Sequence, residues 1–226
     1  MFLAEGYLGL NMDRLAEAVE YSKPTIYGHF STKEDLLLAV SNTALRQRCD
    51  LFVRAAGYKG RSRERMAAVG MADMIFVHVY REHYNVERIL KTASIWEKAS
   101  ELRRAEHQRL DQFCMGAIAG IIGGAIAEKD LDPEFADPAA IGEGLRAISI
   151  GMHMVVSFRQ RSEAEVAQMY DRLRHNQMRL LDGWGWRPFT HEWNYDEAFQ
   201  RIAHEVFPEE VEQLPAALRD TSSFAL

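Results

Sequence analysis

Between Asn11 and Val40 the chain carries three cap residues, a proline in a first helical turn and an apolar rhythm of helical period, which together leave little choice of fold. Asn11 can cap a helix whose apolar positions Met12, Leu15, Ala16 and Val19 share one face, while Asp13, Arg14 and Glu17 face water. Ser22 offers a second cap, and Pro24 stands in the turn after it, where a missing N–H costs little. The break between the two helices falls near Glu20 and Tyr21. Ser31 followed by Glu34 reads as a capping box that opens a third helix, expected from Thr32 to about Ala56. The unit is two short helices on a tight turn, followed by a longer one.

In the second helix Ile26 and Phe30 lie four apart and are expected to pack on Leu15 and Val19, which turns Pro24, Thr25 and Gly28 outward with Lys23, Tyr27 and His29 at the shoulders. Thr and His can reach base edges, Tyr and Lys can reach phosphate oxygens, and the first amides of the helix favour an anion. Lys33, in the first turn of the third helix, opposes the helix dipole; the conflict makes sense if it meets a phosphate. An ordinary helical hairpin without a nucleic-acid role fits the same spacing.

The run Ser22-Lys23-Pro24-Thr25-Ile26-Tyr27-Gly28-His29-Phe30-Ser31-Thr32-Lys33-Glu34 resembles the signature of the tetracycline-repressor (TetR) family of bacterial transcription regulators. The resemblance covers roughly residues 2–45 and implies that the second helix enters the major groove of double-stranded DNA. It implies that Thr25, Tyr27 and His29, with Lys23, Pro24 and Lys33, form the contact set, and that the protein is a homodimer answering to a small-molecule effector. Three departures stand out. Glu20 occupies a turn position where the family usually has Gly, because φ there is often positive; a non-Gly residue costs on the order of 1 kcal/mol. Gly28 replaces a commonly larger residue and weakens its helix by roughly 1 kcal/mol against Ala. The opening Met1-Phe2-Leu3-Ala4-Glu5-Gly6 resembles only the tail of the first family helix, so a start further upstream, or a truncation, is expected. Residues 1–60 hold seven basic and seven acidic side chains, where a DNA-binding head is normally net positive.

With 226 residues, 47% of them hydrophobic, the chain can bury one substantial core beside a small head. The expected fold is all-α: a helix-turn-helix domain over 1–45, a helical ligand-binding and dimerisation domain over 46–187, and an extension over 188–226. Helical patterns run over Arg61–His83, Asn85–Lys98, Arg104–Lys129, Pro138–Arg159, Ser162–Gly183 and, in the extension, Tyr195–Val206. A net charge of −6 confines nucleic-acid binding to a local patch and predicts steep loss of affinity with salt. Cys49 and Cys114 are far apart and form no CxxC pair, as expected of free thiols in a reducing cytoplasm. The apolar stretch Gly116–Ala127 is shorter than the roughly 20 residues a bilayer needs, so no membrane partner is expected.

The pattern Pro138–Arg159 carries one row through Ile141, Leu145, Ile148, Met152 and Val155 and a second through Gly144, Ala147, Gly151, Met154 and Phe158. One row can serve the body and the other a symmetry mate, joined by Val166, Tyr170 and Leu173 of the next helix in a four-helix seam; a buried core helix in a monomer is the alternative. Met71, Met74, Phe76, Tyr80, Tyr84, Trp96, Phe113 and Met115, with His78, His107 and His153 as polar contacts, are read together with the resemblance as the wall of a pocket for an apolar or aromatic effector. Plain core packing is the alternative for any one of them. His78 with Glu82 and His83 with Glu87 have metal-compatible spacing, but no third and fourth ligands stand nearby and surface ion pairs are the better reading. No phosphate loop, nucleophile elbow or triad is legible, so neither a cofactor nor an enzymatic activity is expected. The expected function is a ligand-responsive repressor that releases its operator on binding effector. The competing reading is the same scaffold bereft of DNA binding; a metalloenzyme is a distant third.

Overall fold

The structure, a computed structural model, describes residues 9–90, 93–134 and 137–219. Among them every regular element is a helix, as the apolar periodicity requires. Asn11 caps α1 (Met12–Ala18), its side-chain oxygen accepting from the Asp13 and Arg14 amides at 2.8 and 3.2 Å. The helix closes with Glu20 in the left-handed region at φ 57°, the Glu20 amide donating to Glu17 and the Tyr21 amide to Ala16. Those two bonds make a Schellman motif with a glutamate where glycine is favoured. Ser22 caps α2 (Lys23–His29), and Pro24 sits in its first turn.

The third helix, α3 (Lys33–Ala56), starts one residue later than the expected capping box allows. Thr32 is the residue that accepts, from the Asp35 amide at 3.0 Å. The Asp35 carboxylate accepts instead from the Ser100 amide and hydroxyl. The cap thus lies one residue beyond Ser31, at a threonine, a residue type that also serves well as a cap.

The chain continues through α4 (Ser62–Val79), α5 (Arg81–Leu90), α6 (Ala93–Lys98), α7 (Glu101–Ala127), α8 (Pro138–Ser157) and α9 (Glu163–Gly183). It ends in α10 (Tyr195–Val206), α11 (Pro208–Gln213) and α12 (Ala216–Arg219). Ser162 and Glu165 form the reciprocal capping box of α9. The pattern read as one helix over 61–83 is broken at Tyr80, so His78 and Glu82 fall in different helices. That over 85–98 is likewise divided between α5 and α6.

Two compact units result, and neither is one stretch of chain: residues up to 49 join 80–113, and residues 50–79 join 114–226. The first holds the reading head. In it Asn42, fully buried, shares a hydrogen bond with His107 Nδ1 at 2.9 Å and donates to the Arg103 carbonyl and Glu106 carboxylate. Arg48 pairs with Glu87 at 3.0 Å with little exposure on either side.

The second unit is gathered around Arg63, whose side chain has no exposure. Its guanidinium donates to the carbonyls of Trp186, Pro188 and Met178, to Thr190 Oγ1, and pairs with Asp182 at 2.7 Å. It also lies over the Tyr195 ring at 5.0 Å. One buried cation is thereby compensated by a carboxylate and four further acceptors, the condition under which burying a charge is tolerable. Residues 187–219 thus contribute to this core, with Tyr195, Phe199, Ile202, Phe207 and Leu218 all buried. Cys49 and Cys114 are buried and are not joined in a disulfide.

The apolar run 116–127 belongs to a 27-residue helix, and α7 and α8 are both long and apolar enough to cross a membrane by length and composition. Against that, α8 carries His153, bonded to Asp73 and Tyr170, and polar pairs of this kind belong in a protein interior.

Candidate nucleic-acid interface and ligand cavity

The reading head is held by a small cluster of Met12, Ala16 and Ile26, with Phe30 and Leu36 packed against it. Ile26 is the one buried residue of α2. The expected packing of Ile26 on Leu15 and Val19 is displaced toward Met12 and Ala16, and Val19 is 44% exposed. With Ile26 turned inward, Lys23, Pro24, Thr25, Tyr27, Gly28 and His29 are all exposed. Thr25 Oγ1 shares a hydrogen bond of 2.7 Å with Ser22 Oγ, which fixes the first turn. Lys23 Nζ donates to Asp13 at 2.8 Å, and that hydrogen bond and charge hold its ammonium above the ordinary lysine range. Lys33 stands half-buried in the first turn of α3. The arrangement can offer hydroxyls, an imidazole and cations along one edge of a short helix, the set a major groove accepts.

The head is braced within its own unit. Arg103 lies over the Phe30 ring at 5.7 Å, and Thr32 Oγ1 donates to the Lys98 carbonyl. Partial burial pushes the Glu106 carboxyl upward, but hydrogen bonds from Asn42 and Arg103 and the charge of Arg46 outweigh it and leave the group below its ordinary value.

A narrow cleft, part of it open to solvent, lies in the second unit. Ala67, Gly70, Met71 and Met74 of α4 form one side, Ala167, Tyr170, Leu173, Asp171, Arg174 and Gln177 of α9 the other, and Phe199 and Leu218 a third. Arg174 pairs with Asp171 at 2.7 Å and Asp196 at 3.3 Å and lies over Phe199 at 4.9 Å. Behind Tyr170, its hydroxyl meets His153 Nδ1 at 2.8 Å, whose Nε2 meets Asp73 at 2.8 Å, and His78 packs edge-on to the phenol ring.

Of the pocket residues expected from sequence, Met71 and Met74 line this cleft and His78 stands behind it. Phe76 is fully buried in the core, Met115 lies near Gly142, and Phe113 is 60% exposed. Tyr80, Trp96 and His107 belong to the first unit; Tyr80 stacks on His83, and Trp96 packs edge-on to His107, which Asn42 holds. Along the expected dimer row, Ala147, Gly151, Met154 and Phe158 are exposed and Gly144 is partly so; Val166 is half-buried. Tyr170 and Leu173 are buried in the cleft wall of their own chain. Sequence reading missed Asp171, Arg174, Gln177, Phe199 and Leu218. The spacing of 171, 174 and 177 beside Tyr170 and Leu173 was a usable signal, since polar residues at steps of three flank one apolar stripe.

Residues 1–40 match the family model described as "Bacterial regulatory proteins, tetR family". The fold is similar to that of the TetR family transcriptional regulator PfmR from Thermus thermophilus, at 19% identity and a TM-score of 0.60, covering 80% of this chain and 92% of that one. It is also similar to a transcriptional regulator of the TetR/AcrR family from Thermobifida fusca, at 21% identity and a TM-score of 0.57, covering 76% of this chain and 90% of that one.

Proposed function

We propose that this chain is a TetR-family regulator, a reading supported by the match over residues 1–40 and by the similar fold, and that it acts as a cytoplasmic, homodimeric repressor that leaves its operator when a small effector binds. The observation that carries the DNA-binding part is α2 itself: a capped helix with one buried residue, Ile26, and an outward edge of Lys23, Pro24, Thr25, Tyr27 and His29. The exposed row Ala147, Gly151, Met154 and Phe158 on α8 supports pairing with a second copy, because Phe158 at 74% exposure is unfavourable to leave in water. A two-fold dimer sets two reading helices about 34–36 Å apart, on successive turns of a near-palindromic site. The continuous helix α3 gives its residues up to Cys49 to one unit and the remainder to the other, as α7 does at Phe113, so both helices are covalent routes along which a change at the cleft can act on the head. An effector that weakens operator binding must bind more weakly to the operator complex by the same factor.

The test is fluorescence anisotropy with DNA flanking the protein's own gene, run from low to moderate salt. Binding should fall with a steep log–log slope, and Thr25→Ala or Tyr27→Ala should weaken it about 5- to 100-fold. Absence of binding at low ionic strength would leave the competing reading, a helical scaffold without DNA function. Phe158→Asp should shift the light-scattering mass toward monomer; an unchanged dimer mass would remove α8 from the seam.

A further inference from the structure

We infer that the cleft between α4, α9 and the C-terminal helices is the effector site, and that it takes an apolar or aromatic molecule carrying a hydrogen-bond donor, neutral or cationic rather than anionic. The inference rests on the proposed effector response and locates it. Three features give the chemistry. Met71 and Met74 supply a floor of flexible, polarisable side chains that adapts to ring or chain shapes. The Arg174 guanidinium already has carboxylates at 2.7 and 3.3 Å, from Asp171 and Asp196, so an incoming anion meets a compensated charge and a nearby excess of negative groups. Gln177 donates through Nε2 to Ser149 Oγ at 2.9 Å, which fixes the amide and leaves Oε1, an acceptor, turned toward Gly70. A methyl at Gly70 would stand 3.1 Å from that oxygen, so the glycine keeps the polar end of the cleft open.

The C-terminal segment is therefore part of the binding site. Leu218 and Phe199, both nearly fully buried, close the side of the cleft that α4 and α9 leave open. Without them the methionine floor would face water, and an apolar ligand would keep much of its surface solvated.

Four probes that differ only in the polar group separate the alternatives: benzylamine, benzyl alcohol, toluene and benzoate, titrated against the full chain by ligand-observed saturation-transfer NMR. Benzylamine and benzyl alcohol should bind about three- to tenfold more tightly than toluene, the return on one hydrogen bond, and benzoate most weakly. Gln177→Met should remove that preference while toluene binding persists. Gly70→Ala, a substitution that favours the helix and so keeps the fold, should reduce it by crowding the same oxygen. Leu218→Ala should weaken all the apolar probes together. The proposal is overturned if benzoate binds as tightly as benzylamine, or if the ranking survives both Gln177→Met and Gly70→Ala. The same samples tested for release of operator DNA keep the two readings apart. Ranked binding without DNA release supports the site and removes the effector response; release that is equal in wild type and in both variants places the effector elsewhere and overturns the site.

Discussion

The helix-turn-helix unit and the cleft are both built from helices, yet they are held in different ways. Within α1 and α2 the bonds named are local, Asn11 to Arg14, Ser22 to Thr25 and Lys23 to Asp13, spanning no more than ten residues, and longer ones such as Thr32 to Lys98 and Asp35 to Ser100 begin only at the start of α3. The cleft's unit is closed by Arg63, whose bonds reach between 115 and 127 residues along the chain. Local bonds make a small, adaptable reader whose elements form where their own sequence says. Long-range bonds make a cavity whose walls meet only once the whole unit has folded, and they concentrate its stability in few side chains.

The sharpest way to break this contrast is Arg63→Met. It strands Asp182 and several buried carbonyls, and removing one partner of a buried pair costs about 3–5 kcal/mol. Urea unfolding followed by tryptophan fluorescence should show that loss; a change below about 1 kcal/mol would mean the hub is no hub.

Acid should act on the same place. Burial pushes the Asp182 carboxyl upward, but Thr190 hydrogen bonds and the Arg63 charge outweigh it and hold the group below its ordinary value of 3.8. A depressed folded value stabilises the protein above the unfolded value, and that share is lost as pH falls through the folded one. Stability measured from roughly pH 6 down to roughly pH 3, a window that brackets ordinary carboxylates, should therefore drop at its acid end. Asp182→Asn should start lower and give a flatter curve; parallel curves would exclude this carboxylate.

Three helix ends share one device and test how local the local rules are. Glu20, Lys129 and Gly185 all have positive φ, at 57, 63 and 72°, each followed by an amide that donates back to the helix. Gly185→Ala should cost about 1–2 kcal/mol, and Glu20→Gly should gain up to about 1 kcal/mol, less the entropy glycine adds to the unfolded chain. If neither changes the thermal midpoint, backbone strain at these ends is not limiting.

How far the chain could be read before its structure was known follows the same division. Caps at Asn11 and Ser22 were legible because donor and acceptor lie within three residues. The shift from Ser31 to Thr32 was not, since two adjacent residues of good capping type, each followed three positions later by an acid, leave the register open. Apolar rhythm shows that α9 has a sticky stripe but not what the stripe meets, so Tyr170 and Leu173, expected at a seam between copies, line the cleft instead. Trp96 and His107 show the same blindness: Asn42, from a helix far earlier in the chain, holds them in the other unit. Leu218 lies on a four-residue helix, too short for any periodicity to announce.

The smallest expected effect is at Gly28, and it bears on the head alone. A Cβ built there meets nothing within 4 Å, so Gly28→Ala adds no clash and should stabilise α2 by up to about 1 kcal/mol through helix propensity. The open space is on the outward side, beside Thr25 and His29, where the proposed operator would lie. If α2 enters a groove closely enough to read bases, a methyl at Gly28 stands against the duplex, and DNA affinity should fall while stability rises. If α2 lies further out, stability rises and affinity stays. Thermal unfolding and anisotropy on the one variant thus measure how near the helix comes, because the two readouts move in opposite directions only when a partner fills the space that the free head leaves empty.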